Sequence, residues 1–284
     1  MLASNAVFGP SAAYTLKRNR IGLVILLYRS LSGRSSTIPV LSLKLFKMIS
    51  LFYGAFMKNV LQTPPAPALS PTKPLMRGWS HALAAVASLL LTIILCWQSR
   101  ADLPRLVSLL IFGLSMLELY AVSAFYHIGR WSPRSARVLR AIDHANIFVM
   151  IAGTYTPLCF NLLSGWLRVT LLLVIWTLAA IGVGLAILTL RLPRWITAAL
   201  YIGMGWVVIL ALPAFLAVIS WYGVSFLLLG GILYTIGAII YASKRPDPLP
   251  RVFGFHEVFH LFVIAGSIAF ATCIWIWALH VPRV

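Results

Sequence analysis

Residues 168–190 read RVTLLLVIWTLAAIGVGLAILTL, and after Arg168 no charged side chain interrupts them. A helix rising about 1.5 Å per residue needs about 20 such residues to cross a hydrocarbon core of about 30 Å. The run lacks the alternation of a barrel strand, so a helix, which satisfies its own backbone groups, is the expected way through lipid. Six further apolar runs accompany it, at 81–98, 106–128, 142–163, 195–218, 223–242 and 255–279, divided by short polar or Pro/Gly segments. The pattern predicts an all-α membrane protein, a seven-transmembrane helix bundle.

Composition agrees. The 284 residues are 61% hydrophobic and only 10% charged, where soluble domains carry about a quarter charged residues. Mean hydropathy is +0.95. A second soluble domain of ordinary size has nowhere to sit. Lys and Arg number 23 against five acidic residues, a net charge of +18. In a soluble chain that balance would suggest nucleic acid. Here the basic residues lie between apolar runs, where they act as topology signals and contacts to anionic lipid. The expected partner is the lipid bilayer, with no nucleic acid. Cys96, Cys159 and Cys273 are odd in number and sit in or beside apolar runs, so no disulfide framework is expected.

The first 75 residues differ from the rest. No acidic residue precedes Asp102, and ten of the 23 basic residues precede Trp79. The apolar stretch 21–28 is too short to span, and the Pro-rich segment 63–74 resembles a linker. Residues 1–75 are therefore expected to be a disordered basic extension or an over-extended start, with Met48, Met57 or Met76 as alternative beginnings; residues 76–284 form the transmembrane domain. Orientation follows from the loops. Lys58, Lys73, Arg77, Arg130, Arg134, Arg137, Arg140, Arg191, Arg194, Lys244, Arg245 and Arg251 fall on one side, against Arg100, Arg105, Arg168 and Arg283 on the other. The positive-inside rule then predicts a cytoplasmic N-terminus and an outside C-terminus.

Ionisable groups inside spans are costly and mark function by default. His127 ends span 2, Asp143 and His144 open span 3, and His256, Glu257 and His260 open span 7. All six belong to the same side of the membrane. His256 and His260 are four apart and share a helix face, where two imidazoles can hold one metal ion. His127 can supply a third nitrogen, and Ser123, one turn earlier, can orient a ligand or water. Three neutral histidines leave zinc a fourth position for water, which Asp143 can hold or deprotonate. Singly, each His could be an inert interfacial residue; together they point to zinc. His81 and His280 are expected at the interface, and Glu118 on the face opposite His127. Asn146, Thr154, Tyr155 and Thr156 are expected to satisfy backbone and neighbouring helices, with Pro157 kinking span 3.

Two identities compete for these residues. His256-Glu257-Val258-Phe259-His260 matches H-E-x-x-H, in which Glu serves as the base of a metalloprotease; an intramembrane protease is one alternative. The ordered set Ser123-Ala124-Phe125-Tyr126-His127, Asp143-His144 leading to Gly153-Thr154-Tyr155-Thr156-Pro157, and His256 to His260 resembles the hemolysin III branch of the progestin and adipoQ receptor family, from about residue 76 onward. That resemblance implies zinc at His127, His256 and His260, a water-bound acid at Asp143 and a capping serine at Ser123. Adiponectin receptors and alkaline ceramidases, also similar, suggest hydrolysis of a lipid amide or ester. The resemblance to the bacterial branch implies the plasma (inner) membrane of a bacterium as the expected location. A non-enzymatic receptor or membrane-lytic hemolysin with structural zinc is the other alternative.

Overall fold

The computed structural model describes residues 73–188 and 192–282. The basic extension before residue 73, with Lys58, and Arg191 and Arg283 lie outside the described residues. Among those described, seven helices are long and apolar enough to span: α1 Trp79–Gln98, α2 Leu103–Ile128, α3 Pro133–Leu162, α4 Gly165–Leu188, α5 Arg194–Val218, α6 Trp221–Ser243 and α7 Phe255–Ala278. They include no strand, only an isolated bridge between Leu249 and Phe253. Trp97, Trp166, Trp195 and Trp221 are exposed at helix ends, as residues of an aromatic belt are.

The spans fall where the apolar runs predict, except the third. Helix α3 begins at Pro133, nine residues before the expected 142, because its first turns carry Arg134, Arg137 and Arg140 and so register as polar. Ser132 caps it by accepting the Ser135 N–H at 3.2 Å, and Pro133 takes the first helical position, where its missing donor costs nothing. Asp143 and His144 therefore do not open this helix but sit about three turns inside it.

Helix α3 is also the innermost. In its most apolar window 83% of residues are buried, against 22–50% for the other six, although it is the least apolar span. In lipid this ordering is expected, since apolar surface faces outward and a surrounded helix can carry polar groups. It packs on α2, α4, α5 and the end of α7. Close approach to α2 rests on Gly153, where a Cβ would collide with the Ser115 side chain of α2. Helix α3 continues through Pro157 to Leu162.

Helix α5 is irregular at mid-length. It is α-helical over Arg194–Gly205 and Leu212–Val218, with a 3-10 stretch, Trp206–Ala211, between. Such a break frees backbone groups that lipid cannot satisfy. Tyr155 of α3 supplies the partner: its hydroxyl donates to the Gly205 carbonyl and accepts the Val208 N–H, each at 2.7 Å. Thr154 and Thr156 bond back to their own helix, and Thr156 also accepts the Trp176 indole N–H at 3.2 Å. Asn146 departs from expectation, because its buried Nδ2 has no partner among the described residues.

Candidate metal centre

His127 stands in the last turn of α2, and His256 and His260 in the first two turns of α7. All three are buried. The Nε2 atoms of His127 and His256 lie 3.0 Å apart, and the ring centroids of His260 are 4.4 Å from His256 and 5.4 Å from His127. One ring nitrogen from each falls within 4.8 Å of the others. Tetrahedral zinc with bonds of about 2.0–2.1 Å needs its nitrogens about 3.3 Å apart, so modest side-chain adjustment closes the set around an ion. The buried His260 Nδ1 has no hydrogen-bond partner among the described residues. Three imidazoles suit zinc, copper, iron or nickel.

The start of α7 is fixed by Glu257. Its Oε2 accepts the Gly254 N–H at 2.8 Å, the half of a capping box that the N3 side chain supplies, and its Oε1 pairs with the Arg77 guanidinium. Both carboxylate oxygens are thus engaged away from the histidines. The segment bearing Arg77 crosses this end of the bundle: Leu75 and Met76 donate to the carbonyls of Arg251 and Val252, each at 3.1 Å. Lys73 donates to the His127 and Gly129 carbonyls at the end of α2. Partial burial and nearby Arg77 lower the Lys73 pKa. Gly78 turns the chain into α1 at φ +87°, where a Cβ would stand 2.9 Å from that of His127.

Asp143 reaches the same space from α3. Its Oδ2 lies 3.8 Å from His127 Nε2, and Ser123 of α2 lines the same cavity as its carboxylate. His144 lines the same cavity but is tied to its neighbours. Its Nδ1 bonds the Arg140 carbonyl at 2.8 Å and its Nε2 the Tyr241 hydroxyl at 2.9 Å, so both ring nitrogens are used. With Nδ1–H donating, Nε2 accepts from Tyr241.

His81 corrects the interfacial expectation. It is only 3% exposed, stacks on His260 with ring centroids 3.6 Å apart, and leaves both nitrogens unpartnered among the described residues. No sequence spacing signals this, because its neighbour comes from α7. His280 is exposed at the other end of α7, as expected, and Glu118 is exposed on α2. A cavity of about 110 Å³ opens beside His256, His260 and Asp143 and runs inward to Leu158, Phe215 and Phe270. Leu158 is fifteen residues beyond Asp143 on α3, or about 22 Å deeper.

Residues 69–271 match the family model described as Haemolysin-III related. The chain is 38% identical over 177 residues to the Hemolysin-3 homolog of Bacillus subtilis (strain 168), covering 62% of this chain and 80% of that protein. It is 35% identical over 204 residues to Hemolysin-3 of Bacillus cereus, covering 70% and 89%. A more distant likeness, 23% over 214 residues and covering 72% and 84%, links it to the human monocyte to macrophage differentiation factor.

Proposed function

Because the chain belongs to the haemolysin-III-related family of integral membrane proteins, we propose that its three buried histidines hold zinc and that it hydrolyses a lipid amide or ester. The observation that carries this reading is the convergence of His127, His256 and His260 beside Asp143 at the mouth of a deep apolar cavity. When bound, zinc supplies Lewis acidity, polarising a carbonyl and bringing water toward a pKa of about 7.

The protein's own residues supply the rest. The cavity takes an acyl chain and excludes water, which places the substrate carbonyl at the level of Asp143. Asp143 accepts a proton from the attacking water and returns it to the leaving nitrogen or oxygen. Ser123 orients that carboxylate, while His144, tied to Arg140 and Tyr241, shapes the wall beside it. In the protease alternative Glu257 would be the base, yet its oxygens serve Arg77 and the Gly254 amide. The basic residues gathered at this end support a cytoplasmic orientation with the N-terminus inside, and the Bacillus relatives support a bacterial plasma membrane as its location.

Zinc-loaded protein in lipid nanodiscs, given long-chain N-acyl amides and esters, tests the reading. Fatty acid release by the wild type, abolished by chelation and restored by zinc, is the expected result. Full zinc occupancy without turnover on either class would make the metal structural and the protein non-enzymatic.

A further inference from the structure

A second cavity, of about 50 Å³, lies at the same end of the bundle between α3, α4, α5 and α6. Its polar lining is Arg140, His144, Arg194, Thr197 and Tyr241, and no carboxylate lines it. The Arg194 guanidinium carbon sits 5.3 Å from the ring centroid of Tyr241 and 5.9 Å from that of Phe255, which hold the side chain over the cavity. Its Nη1 is buried and without a hydrogen-bond partner among the described residues. Arg140 lines the same cavity beside Tyr241. Asp143, the nearest acid in sequence, contacts His127 and His144 and is not part of this lining.

Two guanidinium groups from different helices thus border one small space in which no described residue accepts from Arg194 Nη1. A buried donor left unmade is costly, more so when charged, and two cations bordering one cavity repel. An anion relieves both. The space is several times the ~10–15 Å³ that one water requires. The Thr197 hydroxyl, one turn after Arg194, donates to the Pro193 carbonyl at 3.4 Å, so the donors for a ligand are the two guanidinium groups, which come from different helices and are better matched by a group with three or four acceptor oxygens than by one planar carboxylate. Depth narrows the source: Trp195, next to Arg194, is 67% exposed and marks headgroup level.

We propose that this cavity binds a phosphate group, either free or esterified in the headgroup of an anionic phospholipid. It is separate from the cavity at the histidines, the two sharing His144 and Tyr241 as a wall. A choline headgroup is disfavoured, because its cation would meet the arginines.

Native mass spectrometry of the purified full chain, titrated with phosphatidylglycerol or phosphatidylcholine, reads the site directly. We expect selective retention of phosphatidylglycerol, weakened about tenfold in Arg194→Gln and in Arg140→Gln. The Arg134→Gln protein, losing an equal charge from the exposed first turn of α3, should change less than about twofold. Arg140 is itself exposed, so its variant guards against misfolding of Arg194→Gln, and gel filtration checks both. If inorganic phosphate displaces the lipid and raises the wild-type Tm, the site takes the group free or esterified; if it does neither while selectivity persists, the headgroup is the ligand. Equal weakening by Arg134→Gln and Arg194→Gln would reduce the effect to diffuse surface charge and overturn the proposal. So would an absence of phosphatidylglycerol selectivity together with no response to phosphate.

Discussion

His127 of α2 and His256 of α7 face each other through their Nε2 atoms at 3.0 Å, although 129 residues separate them along the chain. Neither ring is held by a carboxylate pair close enough to account for this approach; the Asp143 oxygen nearest His127 is 3.8 Å away. Two imidazole nitrogens in that relation, with a third from His260, form a donor set before any ion is added.

The metal prediction follows from that set. Purified protein should contain about one zinc per chain, and His127→Ala, His256→Ala and His260→Ala should each weaken binding more than about 100-fold, since losing even an outer-shell partner costs about 10–100-fold. His81→Ala should keep the metal, because His81 stacks on His260 outside the donor set. Elemental analysis decides it, and a metal-free His81→Ala protein would enlarge the ligand set.

The two carboxylates should separate cleanly. Asp143→Asn is expected to retain zinc and lose turnover by about 10²–10⁴, the range for a general base. Glu257→Gln should keep most activity, because an amide oxygen can still accept the Gly254 N–H. The reverse pattern in a fatty-acid release assay would move the chemistry to the metalloprotease alternative.

Glu257 matters to stability instead. It is 1% exposed and paired with Arg77, so Arg77→Met leaves a buried charge uncompensated. Breaking such a pair costs about 3–5 kcal/mol, or roughly 6–20 °C in Tm for a protein of this size. Arg77→Met with Glu257→Leu should recover part of that loss. An unchanged Tm in Arg77→Met would show that the pair contributes nothing in a bilayer.

Tyr155 should hold the irregular middle of α5. Tyr155→Phe removes the bonds to Gly205 and Val208, stranding a carbonyl and an N–H at membrane depth. A loss of about 1–3 kcal/mol is expected for each buried group left unmade. Thermal unfolding measures it, and hydrogen exchange at residues 205–211 should rise in the variant before it rises elsewhere.

Orientation is open to direct labelling. In a Cys96→Ser background the remaining Cys159 and Cys273 are buried. A cysteine at Ser135 should resist a membrane-impermeant maleimide in intact cells, while one at His280 should react. The opposite result would invert the bundle and put the histidines outside.

Seven spans, their approximate ends and the family motifs were legible in the linear sequence, because exclusion of water from lipid forces long apolar helices whatever their neighbours. The start of α3 was not, since its capped first turns carry arginines and hydropathy registers only the apolar part. The pairing of His256 with His260 is a property of one helix and so is written in a four-residue spacing. By contrast, the burial of His81 against His260, the diversion of Glu257 to Arg77, the approach of Asp143 to His127 and the shared cavity lining of Arg140 and Arg194 join separate segments of the chain. Side-chain period fixes which face a residue occupies on its own helix, but only the packing of that helix against others decides what the face meets.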